Sequence, residues 1–351
     1  MSLMAIQQNV PLAPLTTLQV GGPARYFAQA ASEDEVRDAV DFARTKALPI
    51  FVLGGGSNLL VSDSGWPGLV LKIAIGGIGQ QAQDGVVLFE AGAGVDWDLF
   101  VAQAVASNCA GLECLSGIPG SVGGTPVQNV GAYGQEVSET IEFVRVFDLK
   151  ESRIVVLPKD ACGFRYRTSI FNRDERGRYI ILRVTYRLTA GGGPSLKYTD
   201  LQKHFENYGS SPSLAEVRNA VRQIRRSKSM LIVPGDPDCR SAGSFFKNPI
   251  LSESEFRDLA RRAESRSLRI PSYPALDTQR KVSAAWLVEH SGFTKGFTLG
   301  PAGISHKHAL ALINIGEAHA ADMVRLKESI QDGVKEAWAI LLEPEPVFVG
   351  F

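Results

Sequence analysis

Three stretches of the chain contain residues whose types and spacing could do chemistry. Residues 54–58 read "GGGSN", residues 116–134 read "SGIPGSVGGTPVQNVGAYG", and residues 241–249 read "SAGSFFKNP". Because glycine has no Cβ, backbone N–H groups in a glycine-rich loop can converge on phosphate oxygens. Two such loops in one chain predict a binding site for a large phosphorylated ligand.

The two glycine loops differ in how strongly they indicate a ligand. Neither is a G-x-G-x-x-G that opens a helix after a strand, and no G-x-x-x-x-G-K-[ST] occurs, so the ordinary Rossmann and P-loop sites are excluded. The shorter loop alone fits a set of tight turns equally well. The longer loop costs chain entropy, and a loop of that length usually serves a ligand.

Ser244 stands between Gly243 and two phenylalanines, and its surroundings allow two interpretations. A small residue beside glycine is typical of a turn, which is the interpretation that the residues alone favour. The other interpretation is a functional hydroxyl, for which the residues alone give no role. Phe245 and Phe246 are predicted to pack in the core and to hold the turn.

Two charged residues could act on a substrate. Arg167 lies in "FRYRTS", where we expect a strand with Arg165 and Arg167 on one face and Tyr166 on the other. A planar guanidinium can bind both oxygens of a carboxylate, and a strand-surface arginine is the alternative. Glu345 lies between two prolines that stiffen its backbone, so it is either a positioned carboxylate or a surface one.

Composition limits the class of protein. The chain has 351 residues, 44% hydrophobic and 21% charged, and Lys plus Arg equal Asp plus Glu at 37 each. Two or three domains are expected at this length, and the balanced charge predicts no general attraction to nucleic acid or to anionic membranes. Because no signal-peptide pattern and no apolar run of roughly 18 residues occurs, we expect a cytoplasmic protein.

The cysteines and histidines predict no metal site. The cysteines form no C-x-x-C pair and are expected to be free, buried thiols; they are Cys109, Cys114, Cys162 and Cys239. His306 and His308 would point the same way from a strand, as a metal-binding pair could. No third ligand stands near them in the sequence, so we predict no bound metal.

Several elements must position these residues. Residues 180–187 alternate apolar and polar side chains, which predicts a strand with one buried face. Ser213 begins a predicted helix on which Arg218, Arg222 and Arg225 share a face, and a solvated basic surface is the simpler interpretation of that face. Further helices are predicted near residues 253–265, 284–290 and 320–338, in an α+β or α/β fold of about three units.

Eight segments, in order, resemble the UDP-N-acetylenolpyruvoylglucosamine reductase family, which acts in the synthesis of bacterial peptidoglycan precursors. The segments are "TTLQVGGPARYF", "GGGSNLLVSD", "GLECLSGIPGSVGGTPVQNVGAYGQEV", "CGFRYRTSIF", "AGSFFKNP", "AAWLVEHSGF", "KHALALIN" and "LEPEPVFVG". They extend from Thr16 to Gly350. Eight matches in the family's order are far more specific than any one of them.

The resemblance implies an α+β protein. Its parts would be an FAD-binding fold of the vanillyl-alcohol-oxidase type, made of two α+β subdomains, and a separate α+β substrate-binding domain. The implied bounds are residues 1–75 and 76–225 for the subdomains and 226–345 for the substrate-binding domain, with residues 346–351 returning to the first subdomain. The implied FAD-binding residues are Gly54, Gly55, Gly56, Ser57, Asn58, Gly117, Ile118, Pro119, Gly120, Ser121, Gly123, Gly124, Asn129 and Gly131.

The resemblance also implies a reaction. In the family, NADPH reduces FAD, and hydride then passes to the enolpyruvyl ether of UDP-N-acetylglucosamine to give UDP-N-acetylmuramate. The addition leaves enolate-like charge beside the substrate carboxylate, which must be stabilised and then protonated. By resemblance, Arg167 and Glu345 stabilise this charge and Ser244 donates the proton. Glu343 is the alternative to Glu345, because the two residues after Glu345 depart from the family's pattern.

Four further residues match positions that bind substrate in the family. Tyr198, in "LKYTDL", matches a tyrosine that members of the longer type close over the UDP diphosphate. Lys228 and Asn248 match positions near the diphosphate and the NADPH phosphates, and Tyr166 adjoins Arg167. We expect a monomer that binds this small-molecule substrate and has no nucleic-acid or membrane partner.

Two hypotheses from other classes stay open at this point. One is an FAD oxidase of the same cofactor fold that acts on another small substrate, although no histidine lies in either glycine loop for covalent flavin attachment. The other is a flavin- or nucleotide-sugar-binding module without chemistry, and the joint presence of Arg167, Ser244 and Glu345 argues against it. A reduced flavin that is reoxidised by the enolpyruvyl substrate, rather than by air, would separate these hypotheses.

Overall fold

Residues 4–275 and 278–351 are described by a computed structural model, so the first three residues of the predicted 1–75 subdomain lie outside the described residues. The helices are α1 (Glu33–Thr45), α2 (Trp97–Ala106), α3 (Thr199–Phe205), α4 (Leu214–Ser227), α5 (Glu253–Glu264), α6 (Ala284–Glu289) and α7 (Ala320–Trp338). The strands are β1 (Ile6–Pro11), β2 (Pro23–Ala30), β3 (Ile50–Leu53), β4 (Leu59–Val61), β5 (Trp66–Ile73), β6 (Ile78–Gln83), β7 (Val86–Gly92), β8 (Cys109–Ala110), β9 (Gly131–Ala132), β10 (Gln135–Glu136), β11 (Ile141–Asp148), β12 (Arg153–Pro158), β13 (Tyr179–Ala190), β14 (Ser241–Ser244), β15 (Ile250–Leu251), β16 (Ser272–Pro274), β17 (Arg280–Val282), β18 (Thr298–Leu299), β19 (Ala302–Ile304), β20 (Ala311–Asn314) and β21 (Val347–Val349).

The chain divides into two compact units. The first contains the chain up to Val10, Ala24–Gly56 and Trp66–Ser227, and the second contains Pro11–Pro23, Ser57–Gly65 and Lys228–Phe351. The first glycine loop is therefore divided, with Gly56 in the first unit and Ser57 in the second. The separation of residues 1–75 from 76–225, and the return of residues 346–351 to the first of these subdomains, stay predictions.

The first unit begins with a sheet in the order β1-β2-β5-β3. Strands β2, β5 and β3 pair in parallel, and α1 connects β2 to β3. Helix α1 begins after Ser32, whose side chain accepts a hydrogen bond from the Glu35 N–H at 3.2 Å. Its apolar stripe is buried in the core, and β3 ends at Leu53, directly before the first glycine loop.

An antiparallel sheet in the order β12-β11-β13-β7-β6 completes the core of the first unit. Alternate residues of β13 are fully buried, as the sequence pattern predicts, and these are Ile180, Leu182, Val184 and Tyr186. Helix α2 follows β7, and the Asp96 side chain caps it by accepting from the Leu99 N–H at 2.9 Å. Helices α3 and α4 bury a smaller apolar cluster around Cys114.

The second unit contains a sheet in the order β14-β20-β19-β18, a smaller sheet β15-β17-β16, and the parallel pair β21-β4. Helix α7 has the predicted bounds, and its buried residues recur at helical spacing. The two Asp63 carboxylate oxygens accept from the Ala320 and Ala321 N–H groups at 2.7 and 3.0 Å, which satisfies the start of α7. Phe245 and Phe246 lie in the core of this unit, as predicted.

Two further sequence expectations concern single residues and whole helices. The four cysteines are free, buried thiols, as predicted. Within residues 4–275 and 278–351, no helix combines the length and apolar composition that a bilayer crossing needs.

Candidate active site

The two glycine loops lie against each other in the first unit. A Cβ on Gly54 would lie 2.8 Å from Ser121 Oγ, and a Cβ on Gly55 would lie 2.5 Å from the Cα of Gly120. These distances are below ordinary van der Waals contact. A side chain at position 55 would meet backbone and push the loops apart, and one at position 54 would displace the Ser121 hydroxyl. The sequence pattern therefore reflects close approach of two backbones and not only tight turns.

The second glycine loop is held by backbone hydrogen bonds to the connection between β7 and α2. The Val122 and Gly123 N–H groups donate to the carbonyls of Val95 and Ala93, each at 2.9 Å. The Gly120 carbonyl accepts from the Trp97 N–H at 3.1 Å, at the start of α2. Within the loop the Gly124 N–H donates to the Ser121 carbonyl at 2.9 Å, and Ile118 and Pro119 are half-buried.

Asn129 uses its side chain inside the protein. Its amide nitrogen donates to Glu136 Oε2 at 2.8 Å and to the Arg165 carbonyl at 3.1 Å, and its Oδ1 accepts from the Ser138 N–H at 3.1 Å. Its φ of 48° is a conformation that asparagine tolerates better than most residues. The side chain thus ties the second glycine loop to the segment that carries Arg167, and an FAD contact by Asn129 stays a prediction.

Arg167 lies at a tight turn, so the expectation of a strand with alternating faces is wrong. Arg165 and Thr168 exchange two backbone hydrogen bonds, of 2.9 and 3.0 Å, which leaves Tyr166 and Arg167 at the tip. Arg167 has φ 54°, and its Nη2 donates to the Gly131 carbonyl at 2.6 Å. Its guanidinium carbon lies 5.0 Å from the centre of the Tyr166 ring. Strained backbone of this kind often marks a functional position.

Ser244 is the last residue of β14 in the second unit. It pairs with Ala311 of β20, and a register shift separates this pair from the pairing of Ser241 with Ile313. Such an irregularity changes the direction in which a side chain leaves the strand. Ser244 itself is half-buried, whereas the next residue, Phe245, is fully buried and anchors the turn.

Glu345 is held beside this turn. Its N–H donates to the Phe245 carbonyl at 2.9 Å, and its own carbonyl accepts from Asn58 Nδ2 at 3.2 Å. Glu343 is different, because its carboxylate is exposed and accepts from Lys247 Nζ at 2.6 Å. Of the predicted catalytic residues, the second unit therefore brings Ser244 and the backbone of Glu345 together. Arg167 belongs to the first unit.

Comparisons with known proteins cover almost the whole chain. The UDP-N-acetylenolpyruvoylglucosamine reductase C-terminal domain matches residues 236–349, and an FAD binding domain matches residues 24–157. The chain is 46% identical over 349 residues to UDP-N-acetylenolpyruvoylglucosamine reductase of Thermobifida fusca (strain YX), covering 98% of both chains. It is 44% identical over 357 residues to the reductase of Streptomyces avermitilis, covering 99% of this chain and 97% of the relative.

The chain belongs to the UDP-N-acetylenolpyruvoylglucosamine reductase family. A solved reductase from Thermus caldophilus is similar in structure, with a TM-score of 0.66, 27% identity and 99% of each chain covered. The fold is therefore α+β, with an FAD-binding domain and a second α+β unit that contains the match to the reductase C-terminal domain. The FAD oxidase and the binding module without chemistry are no longer needed to explain the sequence.

Family membership gives the activity. The protein is an FAD-dependent oxidoreductase that uses NADPH to reduce UDP-N-acetylglucosamine enolpyruvate in peptidoglycan precursor synthesis. Its substrate is thus a small molecule.

Ser121 allows a test of whether the glycine loops fit FAD. Its Oγ is buried and has no hydrogen-bond partner in the part of the chain that the structure describes. Buried hydroxyls are nearly always satisfied, so an unsatisfied one calls for an explanation. The hydroxyl lies where Gly54 contacts the second loop, and a phosphoryl oxygen at this junction would accept its hydrogen. The residues present therefore fit the FAD pyrophosphate.

The predicted substrate residues belong to both units. Tyr198 precedes α3 and is 41% exposed, and its ring centre lies 5.3 Å from that of Tyr133 in an edge-to-face arrangement. Asn248 Oδ1 accepts from the Ala284 N–H at 2.9 Å, at the start of α6. The charge of Lys228 affects the half-buried His308, whose pKa is lowered to about 4, first by burial and then by repulsion from Lys228 and Lys295.

Sequence reasoning missed several residues that shape the site. Asn172 donates through Nδ2 to the Arg167 carbonyl at 3.1 Å, and its Oδ1 accepts from the Ser169 N–H at 3.0 Å. Asp238 accepts from Ser305 Oγ at 2.8 Å and from the His306 N–H at 3.0 Å, in the segment between Lys228 and Ser244. An asparagine or aspartate beside a turn is a known signal for such backbone bonding, but both partners of Asp238 lie far along the chain.

Proposed function

We propose that Ser244 is the proton donor of the reduction, and that Arg167 and Glu345 stabilise the charge that develops on the substrate. When bound, FAD carries hydride from NADPH to the vinyl CH2 carbon of the substrate. The electrons of the C=C bond then move onto the carbon that bears the carboxylate. Ser244 Oγ gives its proton to that carbon, and the serine regains a proton from solvent.

The hydrogen bond between the Glu345 N–H and the Phe245 carbonyl is the observation that supports this proposal most directly. It holds the backbone of the predicted carboxylate next to the residue that follows Ser244. The prolines on both sides of Glu345 keep this backbone stiff, so the carboxylate needs little ordering to act. Exposure supports Glu345 over Glu343, because the Glu343 side chain is 71% exposed and pairs with Lys247, whereas Glu345 is half-buried.

Arg167 suits the binding of the substrate carboxylate. Its turn has a strained φ and is anchored by Asn129, Asn172 and Gly131, so the guanidinium starts from one restrained position. A guanidinium that is already ordered loses less entropy when it binds a carboxylate. It stabilises the enolate-like state more than the neutral double bond, because negative charge spreads toward the carboxylate.

The remaining roles are proposed by family resemblance. Tyr166, Tyr198, Lys228 and Asn248 bind the substrate, with Tyr198 and Lys228 at its diphosphate. The glycine loops bind the FAD pyrophosphate, a role that the unsatisfied Ser121 hydroxyl supports. We also propose that the protein works as a monomer in the cytoplasm and has no nucleic-acid partner.

The change Ser244→Ala tests the proton-donor role. Flavin reduction by anaerobic NADPH should keep its rate, and flavin reoxidation by the enolpyruvyl substrate should slow by about 10²- to 10⁴-fold, the usual contribution of a general acid. Stopped-flow absorbance of the flavin measures the two half-reactions separately.

Ser241→Ala is the matched control, because Ser241 lies on the same strand and its Oγ accepts from the Gly243 N–H at 3.3 Å. We expect this control to change both half-reactions by no more than a few-fold. Equal loss of both half-reactions in Ser244→Ala would assign Ser244 a structural role and overturn the proposal.

A further inference from the structure

The arginine face of α4 does not lie in solvent, contrary to the simpler interpretation of its sequence. The side chains of Arg218 and Arg222 are 15% and 37% exposed, and Arg225 is 8% exposed. Burying charged side chains costs free energy unless they are paired. These arginines are paired with groups on α2 and on the second glycine loop, which offset the cost of burying them.

Asp98, in the first turn of α2, is the shared partner. Its Oδ1 accepts from Arg218 Nη1 at 2.5 Å and its Oδ2 accepts from Arg218 Nη2 at 3.0 Å, a two-bond pair of the strongest kind. Arg222 Nη1 also donates to Oδ2. The third interaction of this carboxylate is with the backbone, because the Gly117 N–H donates to Oδ1 at 2.6 Å.

The carbonyl of Gly117 is also held by a side chain of α4. This carbonyl accepts from Arg225 Nε at 3.0 Å. Gly117 has φ 72° and Gly120 has φ 133°, so the backbone in this segment departs from regular structure. Fixing such a loop costs entropy, and two charged groups on rigid helices hold one end of it before any ligand arrives.

The charge of Asp98 is stabilised in this position. Burial raises the pKa of its carboxyl, but the hydrogen bonds from Arg218 and Gly117, with the charges of Arg218 and Arg222, outweigh burial and lower the pKa. The carboxylate is therefore ionised at neutral pH. The cluster contains three guanidinium groups and one carboxylate, and its excess positive charge favours an anionic ligand at the loop.

We propose that Asp98, with Arg218 as its main partner, is a positioning residue for the FAD pyrophosphate. It fixes Gly117, and through Gly117 it fixes the following loop residues up to Ser121, whose buried hydroxyl lacks a partner in the described residues. The inference rests on the proposed pyrophosphate role of the second glycine loop. It adds that FAD affinity depends on an ion pair between α2 and α4, outside the glycine loops themselves.

Release of FAD from the holoenzyme tests this proposal. Holoenzyme is diluted in series, and the fluorescence of released flavin gives both the dissociation rate and the Kd. Asp98→Ala and Arg218→Ala should raise the Kd about 10- to 100-fold, because a hydrogen bond to a charged group is worth about 1.5–3 kcal/mol and 1.4 kcal/mol is tenfold in affinity. Asp98→Asn keeps an oxygen that can accept from the Gly117 N–H, so it should raise the Kd for FAD less than Asp98→Ala does.

Glu33→Ala is the matched control. Glu33 forms a similar two-bond pair with Arg145 in the first unit, at 2.7 and 3.0 Å, and its side chain is about as exposed as that of Asp98, 26% against 24%. This pair joins α1 to β11 and not to a glycine loop. The control should raise the Kd less than twofold while lowering the melting temperature about as much as Arg218→Ala. If Asp98→Ala does not fold, Arg222→Ala gives the milder perturbation and should still speed FAD release several-fold.

Two results would overturn the inference. A Kd within twofold of the parent in both Asp98→Ala and Arg218→Ala would show that the ion pair has no part in FAD binding. A rise in Kd for Glu33→Ala equal to that for Asp98→Ala would show that any loss of stability in this unit weakens the binding of FAD. Neither result depends on the half-reaction rates that test Ser244, so failure here is separate from failure of the proton-donor role.

Discussion

His308 is a single residue whose surroundings change its chemistry. The imidazole is largely buried in the second unit, and burial disfavours its charged form. Lys228 and Lys295 add repulsion, and together these effects lower its pKa to about 4. In an unfolded chain the pKa is about 6.5. His308 is thus a neutral side chain in the folded protein at physiological pH.

The His308 pKa predicts a pH dependence of stability. Below about pH 6.5 the imidazole binds a proton in the unfolded chain, but in the folded protein it binds one only near pH 4. The contribution of neutral His308 to the free energy of unfolding is therefore complete above pH 6.5 and is lost as the pH falls. His308→Gln should remove this loss, which at pH 4 is about 3 kcal/mol at most. Urea unfolding at pH 7 and at pH 4, compared between parent and variant, measures the difference.

An exposed histidine provides the control for this measurement. His204 lies on α3 in the first unit and is exposed, so His204→Gln, measured at the same two pH values, controls for the exchange of a histidine for glutamine. If the parent and His308→Gln lose the same free energy of unfolding between pH 7 and pH 4, the His308 imidazole has the same pKa in the folded and the unfolded protein. That result would contradict the assigned environment of His308.

At the scale of elements, the turn around Arg167 depends on a few side chains elsewhere in the first unit. The Asn172 side chain donates to the Arg167 carbonyl and accepts from the Ser169 N–H, on either side of Thr168. Asn172→Ala should therefore release Arg167 and slow flavin reoxidation by substrate about tenfold, as expected for the loss of one or two hydrogen bonds. Flavin reduction by NADPH and retention of FAD should stay unchanged, and stopped-flow absorbance and flavin release measure both.

Asn172→Asp is the informative companion to this variant. It keeps the acceptor for the Ser169 N–H and loses the donor to the Arg167 carbonyl, so its effect isolates the second bond. A fall in FAD retention equal to the fall in reoxidation rate would mean that Asn172 supports the whole unit and not the Arg167 turn.

Elements whose form depends on their own residues could be predicted from the sequence. Helix α7 has the predicted bounds because its apolar residues repeat at helical spacing, and β13 buries the predicted face because its alternation is regular. The segment "FRYRTS" has similar alternation but forms a turn, in which Arg165 and Thr168 bond to each other and the side chains of Asn129 and Asn172 bond to its backbone carbonyls. The arginine face of α4 was predicted to be a solvated surface, and this prediction is wrong. Its partner Asp98 is 120 residues from Arg218, so the sequence around α4 does not indicate the ion pair.

At the scale of the whole molecule, FAD should stabilise the protein through the two glycine loops. Free FAD at 100 times its Kd should raise the free energy of unfolding by about 2.7 kcal/mol. Hydrogen exchange should slow in residues 54–56 and 117–124, because the phosphates would order these backbones. Mass spectrometry of amide exchange, with and without added FAD, measures where protection appears.

Riboflavin serves as the comparison, because it has the isoalloxazine ring and no pyrophosphate. It should protect residues 54–56 and 117–124 much less than FAD does. Equal protection by riboflavin, or FAD protection that leaves both loops unchanged, would contradict the assignment of these loops to the pyrophosphate.

The larger organisation could be predicted only in part. Motif order was enough to identify the family and its two kinds of domain. The placement of Ser57–Gly65 with the second unit could not be read from the sequence, because β4 finds its parallel partner β21 in the far C-terminal region. Hydrophobic pattern identifies a strand but not the strand beside it.

The contact between Gly54 and Ser121 has a consequence for protein engineering and for the divergence of this chain. Since a Cβ at position 54 would lie 2.8 Å from Ser121 Oγ, the two positions share one small volume. Alanine at position 54 should destabilise the protein less once position 121 has lost its hydroxyl, and thermal unfolding of the two single variants and the double variant measures the difference. The order of changes is thus constrained: a stabilising library that varies position 54 alone will discard substitutions that become acceptable together with a change at position 121.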